Sequence, residues 1–198
     1  MLKPTLKKTA LFFGSFNPIH NGHLIIAQHF VNHFDIHELW FVVSPKNPLK
    51  EKKTLISEYQ RFYMVQEAVE DNPKFRASNI EFQLEKPSYT AHTLVYLQEK
   101  YPDRQFFLIL GEDNLSSFYR WKNYEYILEH FDLLVYPRPN CVKNDLYQNP
   151  KVHFTEAPLM EISASRIREL VASKLSIKYL VPDKVLKYIE DMNLYKTI

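Results

Sequence analysis

One cysteine and three glycines in 198 residues are the first things this chain lacks. A lone Cys141 excludes an internal disulfide and a cysteine zinc cluster, which points to a reducing, cytoplasmic setting and a structural role for the thiol. With so little glycine there is no Gly-rich tract, and no repeat or linker interrupts the chain, so residues 1–198 read as a single domain. An excess of one charge is missing too. Twenty-five Lys and Arg against 23 Asp and Glu leave a formal +2, too little for a nucleic-acid surface. No apolar run is long enough to span a membrane, and Thr9–Phe13, although preceded by lysines, is too short for a signal peptide before it stops at Gly14. What remains, 45% hydrophobic and 24% charged, is an ordinary globular composition.

Apolar runs and amphipathic stretches alternate along the chain. The pattern predicts strands at about 9–16, 38–45, 75–83 and 105–112, separated by helices at 21–34, 57–71 and 90–100. Leu133–Tyr136 and Val152–Phe154 extend the sheet, and helices at about 164–175 and 182–192 follow. This is the arithmetic of an α/β protein: a Rossmann-like, doubly wound, mostly parallel sheet with C-terminal helices. Its ligand crevice then lies at the carboxyl ends of the strands.

The residues with chemistry fall at those ends. After the first strand comes Gly14-Ser15-Phe16-Asn17-Pro18-Ile19-His20-Asn21-Gly22-His23, a tight turn opening a helix. Such a junction offers free N–H groups and the positive end of a helix dipole, with His20 and His23 on one helical face as cationic donors to a phosphate. Gly14 allows close approach to the backbone, and Pro18 fixes φ. A strand, a glycine turn and a helix occur in many α/β proteins; the complete string is what carries the signal. Ser44-Pro45-Lys46 follows the second strand, with Lys50 beyond it, and either lysine is placed to reach a substrate phosphate. Gly111-Glu112-Asp113 follows the fourth. Late in the chain, Ile162-Ser163-Ala164-Ser165-Arg166-Ile167-Arg168 reads as a serine-capped helix start with Arg168 able to face an anion. His29 and His33, four apart, lack a third ligand and read as surface histidines, so no protein metal site is expected.

The histidine string resembles the HxGH signature of the adenylyl- and cytidylyltransferases, and Ile162–Arg168 resembles their ISSTxxR motif, with Ala164 replacing a serine and Ser165 keeping the hydroxyl of the usual threonine. Four further stretches narrow the resemblance to the nicotinate-nucleotide adenylyltransferases over nearly the whole chain. Pro87–Leu94 looks like their SYTxDTL segment. Gly111–Leu115 with Phe118 and Trp121 looks like their GxDxL…W block, and Tyr179–Pro182 and Tyr188–Tyr195 resemble their C-terminal part. His92 stands where that family usually has aspartate, and Asn17 where its bacterial branch often does.

This resemblance implies transfer of AMP from ATP to the phosphate of nicotinate mononucleotide, forming deamido-NAD and pyrophosphate. It implies catalytic His20 and His23, and ATP binding by Gly14, Ser15, Phe16, Gly111, Asp113 (to a ribose hydroxyl), Ser163, Ser165 and Arg168. Asn17, Lys46, Lys50, Tyr89, Thr90 and Trp121 would take the mononucleotide. Tyr89-Thr90 would present helix N–H groups to the nicotinate carboxylate, and Trp121 a flat face to the pyridine ring. Mg²⁺ would bind mainly through ATP phosphates and water. The alternatives are an enzyme that takes nicotinamide mononucleotide or both acceptors and, more distantly, a non-catalytic nucleotide-binding module; a homo-oligomer is left open.

Overall fold

The structure, a computed structural model, describes residues 6–45 and 55–196. Its first half alternates β1 (Lys7–Gly14), α1 (Asn21–His33), β2 (Glu38–Val43), α2 (Glu58–Val69), β3 (Phe75–Ser78), α3 (Thr90–Lys100) and β4 (Arg104–Gly111). Then follow α4 (Glu112–Ser116), α5 (Tyr124–His130), β5 (Asp132–Tyr136), β6 (Val152–Phe154), α6 (Ala164–Ala172) and α7 (Asp183–Asp191). The six strands form one sheet in the order β3-β2-β1-β4-β5-β6, and every pairing is parallel. Winding runs outward from β1 to β3, then restarts at β4 on the other side of β1. The switch between β1 and β4 opens a crevice at their carboxyl ends.

Side-chain alternation along the strands divides the core into two layers. Ala10, Phe12, Phe41, Val43, Ile109 and Leu134 face one side, where α1, α2, α6 and α7 cover them with Phe30, Met64, Ile167 and Ile189. Leu11, Trp40, Val42, Leu108, Leu133 and Val135 face the other, beneath Leu94 and Leu97 of α3, Phe118, and Ile127 of α5. Both faces are therefore buried, which is why the strands read as continuous apolar runs.

Three segments depart from the sequence expectation. The third strand stops at Ser78, and Ile80–Gln83 coils into a 3₁₀ turn that buries Glu81 beneath the crevice. The stretch between β4 and β5 holds two short helices, α4 and α5, where none was expected. Helix α6 ends at Ala172 because Lys174, at φ 57°, reverses the chain: its N–H bonds to the Val171 carbonyl and the Leu175 N–H to Leu170, both at 2.9 Å. This is a Schellman closure with lysine where glycine is usual.

Candidate active site

His20 is the last extended residue before α1, and its N–H donates to His23 Nδ1 at 3.2 Å. That bond leaves the proton of a neutral His23 on Nε2. The two rings stack at 3.7 Å, and the edges of Phe12 and Phe16 hold His23 from the side. Burial, aided by the positive charge of Arg138, lowers the His20 pKa to about 4. Burial, then His20 and Arg138, also put His23 well below its ordinary value. Both histidines are thus neutral N–H donors, rather than the cationic donors read from the sequence, because desolvation disfavours imidazolium before any phosphate arrives. His20 Nδ1 is buried without a hydrogen-bond partner, an orphan that a ligand can satisfy.

Gly22 makes room for this pair. A β-carbon there would stand 3.1 Å from His20 Nδ1 and 3.5 Å from Ile162. The second contact brings the start of α6 beside the start of α1. There Ser163 Oγ accepts the Arg166 N–H at 3.2 Å, and Ser165 Oγ accepts from Arg168 Nη2 at 3.2 Å. Arg168 also donates Nη1 to the Asn17 carbonyl at 2.8 Å, so it ties α6 to the first loop.

That loop is held from behind. Phe16 is buried at φ 44°, a left-handed conformation that costs about 1–3 kcal/mol and that the surrounding contacts must sustain. Its ring fills the space above Gly14, where a β-carbon would come within 2.7 Å of it, so the ring by itself requires glycine there. Asn17 turns inward, its Oδ1 accepting the Tyr195 hydroxyl at 2.9 Å. Arg61, on α2 and fully buried, donates to the carbonyls of Ser15, Ser44, Pro45 and Ile56.

Beside the histidines lies a cavity of about 400 Å³ whose walls include Gly14, Ser15, Ser44, Tyr89, Thr90, Gly111 and Trp121. Sequence-assigned ATP residues and mononucleotide residues thus share one space. The histidines themselves stand outside it. Phe12 and Tyr136 line the cavity, and the Phe12 ring edge reaches His23, so these rings mark the seam between the cavity and the histidines. Glu81 closes the floor, accepting from Thr93 Oγ1 at 2.7 Å and Ser88 Oγ at 3.1 Å, which fixes the first turn of α3. Burial raises its pKa against those hydroxyl bonds. At the rim, Lys122 lies 4.4 Å from the Tyr89 ring centre.

At the end of β4, a β-carbon on Gly111 would fall on the Asp113 carboxylate. Asp113 faces Arg138 Nε at 3.7 Å, and Arg138 lies over the Tyr136 ring, its backbone N–H held by Glu112 at 2.9 Å. All three glycines of the chain therefore occur at the site, each giving its space to a neighbouring side chain. Arg138, Arg61 and Glu81 escaped the sequence reading. Arg138 follows a strand end, as the motifs do, and Arg61 interrupts the apolar stripe of α2; Glu81 left no comparable signal. Lys46 and Lys50 lie outside the described residues.

The parallel sheet with two helix starts beside paired histidines defines a nucleotidyltransferase of the cytidylyltransferase-like class, and the model of the cytidylyltransferase-like family matches residues 11–170. A chain from Flavobacterium psychrophilum, named a probable nicotinate-nucleotide adenylyltransferase, is 50% identical over 191 residues, covering 96% of this chain and 99% of its own. One of the same name from Cytophaga hutchinsonii is 54% identical over 178 residues, covering 90% and 93%. This chain belongs to the nicotinate-nucleotide adenylyltransferase family. Its fold is also similar to that of a Plasmodium falciparum nicotinic acid mononucleotide adenylyltransferase complexed with NaAD, at TM-score 0.81 and 22% identity over 96% of this chain and 98% of that one.

Proposed function

We propose that the protein transfers the adenylyl group of ATP to the 5′-phosphate of nicotinate mononucleotide, producing deamido-NAD and pyrophosphate. The observation that carries this reading is the seam: a cavity holding Tyr89, Thr90 and Trp121 meets a neutral histidine pair and two adjoining helix starts. The acceptor phosphate is already anionic, so no side-chain base and no covalent enzyme intermediate are needed. Catalysis consists of in-line alignment and stabilisation of charge on the α-phosphate. His20 and His23 donate to α- and β-phosphate oxygens. Ser163, Ser165 and Arg168 hold the β- and γ-phosphates at the start of α6, Asp113 accepts from a ribose hydroxyl, and Arg138 adds positive charge beside the histidines.

The donors around the histidines are N–H groups and guanidinium, suited to anions rather than to a divalent ion. Mg²⁺ would therefore arrive on the ATP phosphates, keep its water and oxygen ligands, and offset phosphate charge. Among the described residues no helix is long and apolar enough to cross a membrane. A cytoplasmic setting and one domain over 1–198 belong to the same proposal.

Acceptor choice tests it. A carboxylate at the α3 start uses two N–H donors, whereas an amide offers one oxygen and leaves a buried donor unpaired, which costs about 1–3 kcal/mol. Nicotinate mononucleotide should exceed nicotinamide mononucleotide in kcat/KM by at least roughly tenfold, or about 1.4 kcal/mol. Equal or reversed preference in competition assays would refute acid selectivity while leaving adenylyl transfer intact.

A further inference from the structure

We propose that Arg61 is the positioning residue for the acceptor phosphate, acting through Ser15 and Ser44, whose backbones it clamps from behind the cavity wall. The inference rests on the proposed adenylyl transfer. Ser44 N–H still pairs with the Gly14 carbonyl at 2.9 Å, so the loops leaving β1 and β2 begin side by side. One residue further on, the Arg61 guanidinium enters between them. Nη1 donates to the carbonyls of Ser15 and Ser44 at 2.5 and 2.8 Å, Nη2 to Pro45 at 2.9 Å and Nε to Ile56 at 3.2 Å.

Every one of these bonds ends on a main-chain carbonyl. Among the described residues Arg61 forms no ion pair; Glu58, on the same helix, supports its charge from a distance, but burial still outweighs that support. A buried cation that its neighbours answer only in part gains from a further anion, and one on the far side of a one-residue wall supplies it. Geometry adds direction. In a planar trans peptide the N–H opposes the C=O, so drawing the Ser15 carbonyl back to Arg61 turns the Phe16 N–H away from it.

The acceptor phosphate is the anion that fits. Ser15, which the resemblance assigns to ATP, lines with Ser44 the same cavity as Tyr89 and Trp121, whereas His20 and His23, assigned to the ATP phosphates, stand outside it across Phe12. Only a planar fork can bridge three carbonyls from two loops. Lysine keeps the charge but cannot reproduce the bridge.

The test measures KM for each substrate, kcat and unfolding stability in Arg61→Lys, Arg61→Met and Arg61→Ala. The expected result is a KM for nicotinate mononucleotide raised at least tenfold in Arg61→Lys and further in Arg61→Met, with KM for ATP within threefold of wild type. Methylguanidinium at millimolar concentration should restore part of kcat/KM for the mononucleotide in Arg61→Ala. A merely structural role would lower the active fraction and leave both KM values unchanged; that result, or an equal rise for both substrates, overturns the proposal. If the methionine and alanine variants do not fold, the KM ratio in Arg61→Lys decides alone. Wild-type turnover is measured beside them, so failure of the acceptor assignment appears there, and the same ratio is then taken with whichever mononucleotide the wild type uses.

Discussion

Replacing His20 by asparagine should remove an acid sensitivity that the active site builds into the whole protein. In the folded chain burial and Arg138 hold His20 at about 4, against 6.5 in an exposed histidine. About one ring in a thousand is then protonated at pH 7. Protonation favours the unfolded chain, since the unfolded value is the higher one. The contribution of His20 is therefore intact above pH 6.5, declines as pH falls from 6.5 towards 4, and levels off below. Between pH 7 and pH 4.5 the loss comes to about 2.5 kcal/mol, a large share of a typical domain's stability. Urea unfolding at the two pH values measures it: the wild type should lose about that much more than His20→Asn, whose remaining acid loss includes that of His23. Titration of the His20 ring by NMR in the ligand-free enzyme should give a midpoint below 5. Equal acid losses in the two proteins, or a midpoint at 6 or above, would refute the argument that these histidines meet ATP as neutral donors.

Two other substitutions separate activity from stability. Gly22→Ala places a methyl group 3.1 Å from His20 Nδ1, so the ring must shift by a few tenths of an ångström. Because alanine is the better helix former by about 1 kcal/mol, stability should hold while kcat falls roughly tenfold. Undiminished kcat would show that ring placement is not critical. Lys174→Gly relieves a left-handed lysine at the end of α6 and should gain about 0.5–1 kcal/mol, seen as a Tm higher by about 1–4 °C in thermal unfolding. A lower Tm would mean that the lysine side chain contributes more than its backbone costs.

The strands were legible because each carries its pattern locally: Thr9–Phe12 and Leu39–Val43 are buried on both faces and announce themselves as apolar runs. Short helices were not. Helix α4 has five residues and α5 seven, entered through Asn123 at φ 56°, and neither is long enough to establish a period. The third strand reads too long in the sequence because Ile80 and Phe82 alternate as strand residues do, while the bonds that coil them, Phe82 N–H to Asn79 and Leu84 N–H to Glu81, leave no mark in a pattern. At the site, motif residues such as His20 and Trp121 could be named, but the charge state of the histidines could not. It depends on burial and on Arg138, which approaches from the loop after β5, more than a hundred residues away in sequence.

The bond between Tyr195 and Asn17 joins residues 178 positions apart. The first nucleotide loop leaves the ribosome well ahead of Tyr195, and Arg61 becomes available to it soon afterwards. Tyr195 does not. At 5–20 residues per second, residue 17 waits roughly 10–40 s for its partner. Through that interval β1 to β4 can pair and close the face beneath α3, while the face awaiting α6 and α7 stays open and Asn17 still lacks the hydroxyl that holds its side chain. Catalytic competence is then acquired late in synthesis, after the sheet, so a nascent chain arrested before residue 195 would have its strands paired yet be without its finished loop.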